Sequence, residues 1–408
     1  MSNVLYISYD GMTDPLGQSQ VIPYLQEFSK SGYQLTILSF EKKDRFQKNE
    51  KLIRSILGKA GIKWEPLPFS SQIPFFSKWY DIQQIRTAAV ALHKKNKYDL
   101  THCRSYVAAD AGLLLKSKYN VPFLFDMRGF WVDERVDNGQ WNLSNPMYSF
   151  LYKTYKKKEK TFLEQSAHII SLTNKGKEEL INSYGIDEKK ITVIPCCVDL
   201  DHFNYKNIDA VKINSLKKQW GIDPADKILS YLGSLGGWYL TEEMMDFFRQ
   251  LKSKYPDAKF LFITQDDKQK IQQLAMKKAL LPEDIIVQPA SRSEVPLFLS
   301  LSNWSIFFIK DAYSKKASSP TKQGEIMAMG IPLVCNDIGD TGKIITESST
   351  GVVIEKFTES EYERAISRMT ELSGIDREKI RETAFQNYDL QKGSRDYITV
   401  YKKILQRN

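Results

Sequence analysis

Metal ligands and redox groups are scarce in this chain. Its 408 residues include four cysteines and four histidines. Cys103, Cys196, Cys197 and Cys335 make no C-x-x-C pair and the histidines are scattered, so no zinc spacing is present. Reduced thiols in a cytoplasmic protein are the expectation. Long apolar runs are missing too: no stretch reaches the ~18 uninterrupted apolar residues of a membrane span. The opening MSNVLYISYDG lacks a basic region followed by an apolar run, which argues against a signal peptide. A membrane would then be met only from its surface. No low-complexity tract or short repeat is found.

What is present is an ordinary globular composition with a basic surplus. Hydrophobic residues make up 42% and charged residues 26%, enough for a full core. At ~100–200 residues per domain the length suggests two domains. The net charge of +9 suits an anionic partner, whether nucleic acid, nucleotide or acidic membrane surface, and equally a solubilising surface. No basic stripe with interleaved aromatics and no nucleic-acid motif appears, so nucleic acid is not an expected partner.

Strand-length apolar runs alternate with helical patterns. NVLYIS (3–8), YQLTILSF (33–40), IKWEPLPF (62–69), DLTHC (99–103), PFLFDM (122–127), HIISLT (168–173) and ITVIP (191–195) read as strands. Helical patterns fall at 19–31, 79–95, 106–118 and 146–165. The rhythm restarts after 200 with KILSYLGS (227–234), AKFLFIT (258–264), DIIVQ (284–288), WSIFFI (304–309), IPLVC (331–335) and GVVI (351–354). This is βαβ order, which implies parallel sheets covered by helices. The junction 196–212 has no clear period and reads as a linker. The expectation is an α/β protein with two Rossmann-like domains facing across a cleft. Residues 1–200 form one domain and 201–385 the other. A final helix in 386–408 packs back toward the first, and ligands bind beyond the carboxyl ends of the strands.

SSPTKQGEIMAMGIPLV (318–334) carries the strongest local signal. Ser319 suits an N-cap, Pro320 the first helical position and Gly330 the C-terminal stop, with Ile326, Met329 and Ile331 placed for burial. A helix start after a parallel strand presents free N–H groups and the positive dipole end to an anion, above all phosphate. Ser318, Ser319 and Thr321 add hydroxyls and Lys322 a cation. Glu325, one turn on, repels phosphate but accepts from ribose hydroxyls. The grouping suits a nucleotide diphosphate, though the same pattern also suits an ordinary capped helix on a sheet.

With these residues the chain resembles a glycosyltransferase of the GT-B fold, family 4. GEIMAMGIPLVC matches the family's second glutamate at Glu325. The first glutamate, which in the family touches the donor sugar, falls at Ala317 and is absent. SSPTK stands there, like a subgroup with serine-proline-x-lysine. VIPCCVDLDHF resembles the interdomain signature. YLGSLGGWY (231–239) resembles the glycine loop of the second domain, with Gly233, but Ser234 and Trp238 stand where an Arg and a Lys often grip the diphosphate. Lys322 would then supply that charge. YDGMTDPLGQSQ resembles the first domain's glycine loop, with Gly17 as its glycine. In DMRGFWVDER (126–135), Arg128 stands about where many members carry a histidine.

The resemblance implies retaining transfer of a sugar from a nucleotide-diphosphate sugar to a glycan or lipid-linked acceptor, without a metal. Its setting would be bacterial surface polysaccharide assembly, such as capsule or lipopolysaccharide. Arg128, Asp126 and Lys322 are the catalytic candidates: Arg128 to stabilise the leaving phosphate, a carboxylate to orient the acceptor hydroxyl. Gly17, Gly233, Ser234, Ser318, Ser319, Thr321, Lys322 and Glu325 are the donor-binding candidates, and Arg104, Asp133 and Glu134 the acceptor-side ones. No DxD-type metal pair stands out, since Asp266-Asp267 reads as solvated surface. His102 reads as a strand-end structural residue, and His93, His168 and His202 likewise. QIPFFSKWYDI (72–82) and YKTYKKKEKTF (152–162) combine aromatic and basic residues, which suits an anionic bilayer at the inner face of the plasma membrane, or else core aromatics beside a solvated face. A nucleotide-sugar epimerase on the same architecture and a catalytically inactive nucleotide-sugar-binding homologue are the alternatives.

Overall fold

The computed structural model describes residues 2–70 and 76–406, with the side chains of 76–78 excepted. Of the segment QIPFFSKWYDI, residues 72–75 and the side chains of 76–78 thus lie outside the described residues. The chain divides into two units. The first holds Met1–Cys196, Tyr313–Ser318 and Leu390–Asn408, and the second Cys197–Ala312 and Ser319–Asp389.

The first unit is a seven-stranded parallel sheet. Its strands are β1 (Asn3–Ser8), β2 (Gln34–Glu41), β3 (Lys63–Pro68), β4 (Leu100–Arg104), β5 (Phe123–Asp126), β6 (His168–Ser171) and β7 (Ile191–Val193), in the order β3-β2-β1-β4-β5-β6-β7. The second unit is a six-stranded parallel sheet of β8 (Ile228–Leu232), β9 (Lys259–Ile263), β10 (Ile285–Gln288), β11 (Trp304–Phe307), β12 (Leu333–Asn336) and β13 (Gly351–Ile354), in the order β10-β9-β8-β11-β12-β13. Helices cover both faces, so the strands read as continuous apolar runs rather than alternating ones; β4, β5, β6, β8 and β12 are buried along their whole length. Each sheet has its own core, with Phe123, Phe125 and Leu163 in one and Phe260, Phe262 and Val334 in the other.

Strand order reverses between β1 and β4 in the first sheet and between β8 and β11 in the second. Loops splay apart at such a reversal and leave room at the carboxyl ends of the strands. The loops after β1, β4 and β5, and those after β8 and β11, therefore carry the candidate residues.

The structure corrects two local readings, at 19–31 and 196–212. The helical stretch 19–31 is two helices, Pro15–Gln20 and Ile22–Lys30, separated at Val21 just before Pro23, whose ring cannot continue a helix from within. The 196–212 segment is partly ordered: a 3₁₀ turn forms at Tyr205–Asn207, and Asp209 caps a helix over Ala210–Gln219 by accepting from Val211 N. The last helix, Leu390–Leu405, belongs to the first unit and packs on Ile22–Lys30, with the Tyr397 ring 5.4 Å from Tyr24 and the Tyr401 ring 5.3 Å from Phe28.

Candidate functional site

In the second unit the loop after β8 is shaped by glycine. Gly233, Gly236 and Gly237 have φ of 108°, 71° and 61°, values that side chains with a Cβ rarely adopt. The Tyr231 hydroxyl donates to Ser234 O, and Leu235 N donates to the Asp266 carboxylate, which also accepts from Thr264 Oγ1. Asp266 is therefore half-buried and fixes the loop, which corrects its reading as solvated surface; Asp267 is exposed and caps the helix Lys268–Lys277.

The helix at the stretch 318–334 spans Thr321–Ala328. Pro320, not Ser319, is its cap residue, and no side chain caps it. Extended backbone at Pro320 delays the first helical residue by one position. Ile326, Met329 and Ile331 are buried, and Gly330 follows the helix with φ 65°. Ser318 closes a turn of the first unit through Ser318 N to Lys315 O, whereas Ser319 and Thr321 stand in the second unit.

This helix delivers Lys322 to the glycine loop. The side chain is buried; its Nζ donates to the Tyr231 hydroxyl at 3.0 Å and lies 3.5 Å from the Tyr239 ring centre. A Cβ on Gly233 would stand 3.1 Å from that Nζ, so glycine makes room for the cation. Burial holds the Lys322 pKa well below the usual lysine range, against the opposing pull of Glu325. Glu325 is pushed up by burial, with Arg292 at 3.8 Å and Lys322 opposing. Lys322, Gly233, Ser234 and Glu325 are thus gathered at the strand-order reversal of the second sheet. Arg292, in the loop after β10, is a member that sequence reading missed; its only sequence signal is a basic residue shortly after a strand end.

In the first unit Gly17 lies in the helix that follows the β1 loop. A Cβ there would fall 2.1 Å from Gly11 O and 2.7 Å from Met12 Cα, so the helix packs directly on its own loop. Glu41, at the end of β2, organises this loop: its buried carboxylate accepts from Met12 N at 2.7 Å, Thr13 N at 3.1 Å and Ser39 Oγ at 2.7 Å. Sequence reading missed Glu41 because a carboxylate ending a strand gives no sign of which distant amides it meets.

The strand ends β4 and β5 carry a buried charge network. The Asp126 carboxylate accepts from Tyr397 OH at 3.1 Å and pairs with His102 Nε2 at 3.4 Å, Arg128 at 3.7 Å and Arg104 at 3.8 Å. Burial alone would push its pKa up, but Arg128, His102 and Arg104 outweigh it and hold it at about 2. Asp126 is only 1% exposed, so it fixes these groups rather than standing open to an acceptor. Arg128 adopts φ 60°, Gly129 follows at 120°, and Arg128 Nη2 reaches Cys196 Sγ at 3.1 Å. A non-glycine residue held there marks backbone strain at the loop after β5. Arg104 is buried against Asp10 at 3.3 Å. His102 also meets Tyr401 OH at 2.7 Å; His93, His168 and His202 are bonded to Tyr98 N, Thr192 and Arg292 O.

Of the acceptor-side candidates, Asp133 accepts from Tyr152 OH and Lys156, and Glu134 accepts from Lys315. Ala317, where the resemblance places a missing glutamate, is 3% exposed within the first unit. A Cβ on Gly176 would stand 3.0 Å from Ala317 Cβ, and Thr173 Oγ1 donates to the neighbouring Lys316 O at 2.6 Å. This turn is a packed contact with no room for a longer side chain. Among the described residues no group of three or more His, Cys, Asp or Glu side chains is placed to hold a metal ion.

The family model described as Glycosyltransferase Family 4 matches residues 20–202, and that described as Glycosyl transferases group 1 matches residues 212–387. A protein named D-inositol 3-phosphate glycosyltransferase from Jonesia denitrificans is 22% identical over 268 residues, covering 63% of this chain and 60% of its own length. The match therefore spans less than two thirds of that relative. Among solved structures, a glycosyltransferase from Rickettsia africae ESF-5 superposes with a TM-score of 0.76 at 19% identity, covering 100% of this chain and 99% of its own. Anabaena HepE in complex with UDP and glucose superposes with a TM-score of 0.70 at 12% identity, covering 99% and 100%. At these identities the superpositions speak for the fold, that of two GT-B Rossmann-like units. With one matched model on each unit and a parallel sheet in each, the chain belongs to the family 4 glycosyltransferases.

Proposed function

We propose that this protein transfers a sugar from a nucleotide-diphosphate sugar to a glycan or lipid-linked acceptor, with retention of configuration and without a metal, in the assembly of a bacterial surface polysaccharide such as capsule or lipopolysaccharide. The observation that carries the reading is the Lys322 ammonium seated against Gly233, with Glu325 one helical turn further on. Lys322 neutralises the diphosphate, the glycine loop lets backbone approach it, and Glu325 accepts from the ribose hydroxyls. Gly17 and the hydroxyls of Ser318, Ser319 and Thr321 complete the donor set. The HepE structure that holds UDP and glucose lends support from a protein of like fold.

In the reaction the bond from the anomeric carbon to the diphosphate oxygen breaks and its electron pair leaves with the phosphate. The acceptor oxygen bonds to the carbon from the same face, and its proton passes to the departing phosphate oxygen. A cation already desolvated at the phosphate stabilises this developing charge more than one in water would. Arg128 is proposed as the first unit's cation for the reaction, held by Asp126, while Arg104, Asp133 and Glu134 belong to the side that receives the acceptor. The epimerase reading loses ground because both matched family models are described as glycosyl transferases.

An acceptor at the inner face of the plasma membrane fits the surface of the helix Pro146–Gln165, where Phe150 is 69% exposed beside exposed Met147, Lys153, Lys157 and Lys160. Trp79 and Tyr80 are exposed on the helix Phe76–Asn96. Among the described residues no helix is long and apolar enough to cross a membrane. A thermal-shift panel of nucleoside diphosphates and sugar nucleotides tests the reading. A ligand at 100 times its Kd stabilises by about 2.7 kcal/mol, and a panel without any shift refutes donor binding.

A further inference from the structure

A cavity of about 560 Å³ opens in the first unit, bordered by the helices Trp131–Asp137, Pro146–Gln165 and Asn174–Tyr184 and by the turn Tyr313–Ala317. Tyr152, Tyr184 and Tyr313 wall it, Asp137 and Ser183 stand at its edge, and Asp133 and Lys156 line it from within. Nothing in the donor chemistry uses these groups.

The polar lining is set in advance. Asp133 is more than nine-tenths buried and accepts from Tyr152 OH at 2.9 Å and Lys156 Nζ at 2.9 Å, one donor on each oxygen. Each carboxylate oxygen has two acceptor directions, so each keeps one for a ligand hydroxyl. Beneath lies the fully buried Glu159, which accepts from Tyr106, Tyr184 and Lys156. Tyr106 OH is also 3.3 Å from Gly129 O, which ties this network to the loop of Arg128.

The charge pattern selects the ligand. An ammonium has three N–H donors, and Lys156 directs its own at Asp133, Glu159 and Tyr184. None is left for an anion, and the charged lining is Asp133, Lys156 and Asp137, the last also in the field of Lys315. A phosphate ester would meet the Asp133 and Asp137 carboxylates, with the Tyr152, Lys156, Ser183, Tyr184 and Tyr313 donors already directed at protein acceptors. A neutral or protonated amino sugar would place hydroxyls or its ammonium at the carboxylates and its C–H face on the tyrosine rings, the mix of aromatic wall and few polar groups that small-ligand sites use.

We propose that this cavity binds a neutral or amino-bearing sugar unit of the acceptor. The assignment rests on the proposed glycosyltransferase reading for what that sugar belongs to. It also separates this chain from the D-inositol 3-phosphate named for its relative, since a phosphorylated polyol is the ligand the lining disfavours.

The test is saturation-transfer NMR titration of the full chain with methyl glucoside, methyl glucosaminide and glucose 6-phosphate, with UDP binding followed in parallel. Expected is saturable binding of both methyl glycosides and at least tenfold weaker binding of the phosphate ester. Ser183→Trp, which fills the mouth from an exposed helix position, should weaken glycoside binding tenfold or more, and Tyr313→Ala should weaken it too, while UDP binding is retained. Absent glycoside binding, equal binding by Ser183→Trp, or equal affinity for the phosphate ester overturns the proposal even where UDP binds. Lost UDP binding in the unaltered chain instead refutes the donor reading, with the glycoside result still deciding the cavity.

Discussion

The Lys322 ammonium sits between Tyr231 of β8 and Tyr239 of the loop that follows, bonded to the Tyr231 hydroxyl at 3.0 Å and 3.5 Å from the Tyr239 ring centre. Two aromatic rings offset part of the cost of burying the cation, while burial still lowers its pKa. Lys322→Ala should weaken UDP binding tenfold or more and leave the fold intact, as measured by calorimetric titration and circular dichroism. Wild-type affinity in that variant would mean that the diphosphate rests elsewhere.

The lowered pKa of Lys322 gives this site a pH signature. Its folded value lies well below the usual lysine value, so between the two the unfolded chain binds the extra proton and stability rises with pH through that window. Donor affinity moves the other way, because the cation is lost as pH climbs through the folded value. A Kd series for UDP from neutral to alkaline pH should show affinity falling well before an ordinary lysine titrates, with Lys322→Ala flat over the same range.

Glu325→Ala should weaken nucleotide binding and leave the melting temperature within a few degrees. A 2′,3′-dideoxy nucleotide should bind the unaltered chain and the variant alike. A variant that still distinguishes ribose from the dideoxy sugar would take Glu325 out of the ribose role.

Removing Asp126 should be costly. Breaking a buried ion pair by deleting one partner costs about 3–5 kcal/mol, and Asp126→Ala leaves Arg104 and Arg128 without their shared anion. The pH dependence has the opposite sign to that of Lys322: the pKa is depressed to about 2, so this stabilisation is present above the ordinary carboxylate value and is lost as pH falls toward 2. Urea unfolding at neutral and acid pH reads both effects.

Ala317→Glu tests why the family's first glutamate is missing. Restored carboxylate should bring no gain in transfer and should lower the melting temperature, because the position is buried against Gly176. By contrast Gly58→Ala, in the helix Lys43–Lys59 with nothing within 4 Å of the added carbon, should stabilise the chain by about 0.5–1 kcal/mol.

Both parallel sheets were legible because buried strands declare themselves as apolar runs, as PFLFDM does for β5. The partnership of Lys322 with Gly233 was legible in part, since the absence of a basic pair at Ser234 and Trp238 left one cation to replace it. Long-range polar contacts were not. Nothing near Glu41 points to the amides of Met12 and Thr13, and nothing near Asp126 points to Tyr397, 271 residues away. Such pairings depend on where the backbone brings two segments, and side-chain type leaves that open. Ser319 failed as a cap for a local reason: the extended Pro320 takes the cap position itself.

Because Tyr397 and Tyr401 complete the hydrogen bonds of Asp126 and His102, the ordered state of the first unit waits on residues that follow the whole of the second in sequence. During synthesis the second unit emerges whole while its predecessor still lacks two hydroxyls at the centre of a buried network. Emergence of Tyr397, rather than that of residue 196, is the moment at which that half can close, and a nascent chain stalled before Tyr397 would hold a finished later half beside an unfinished earlier one.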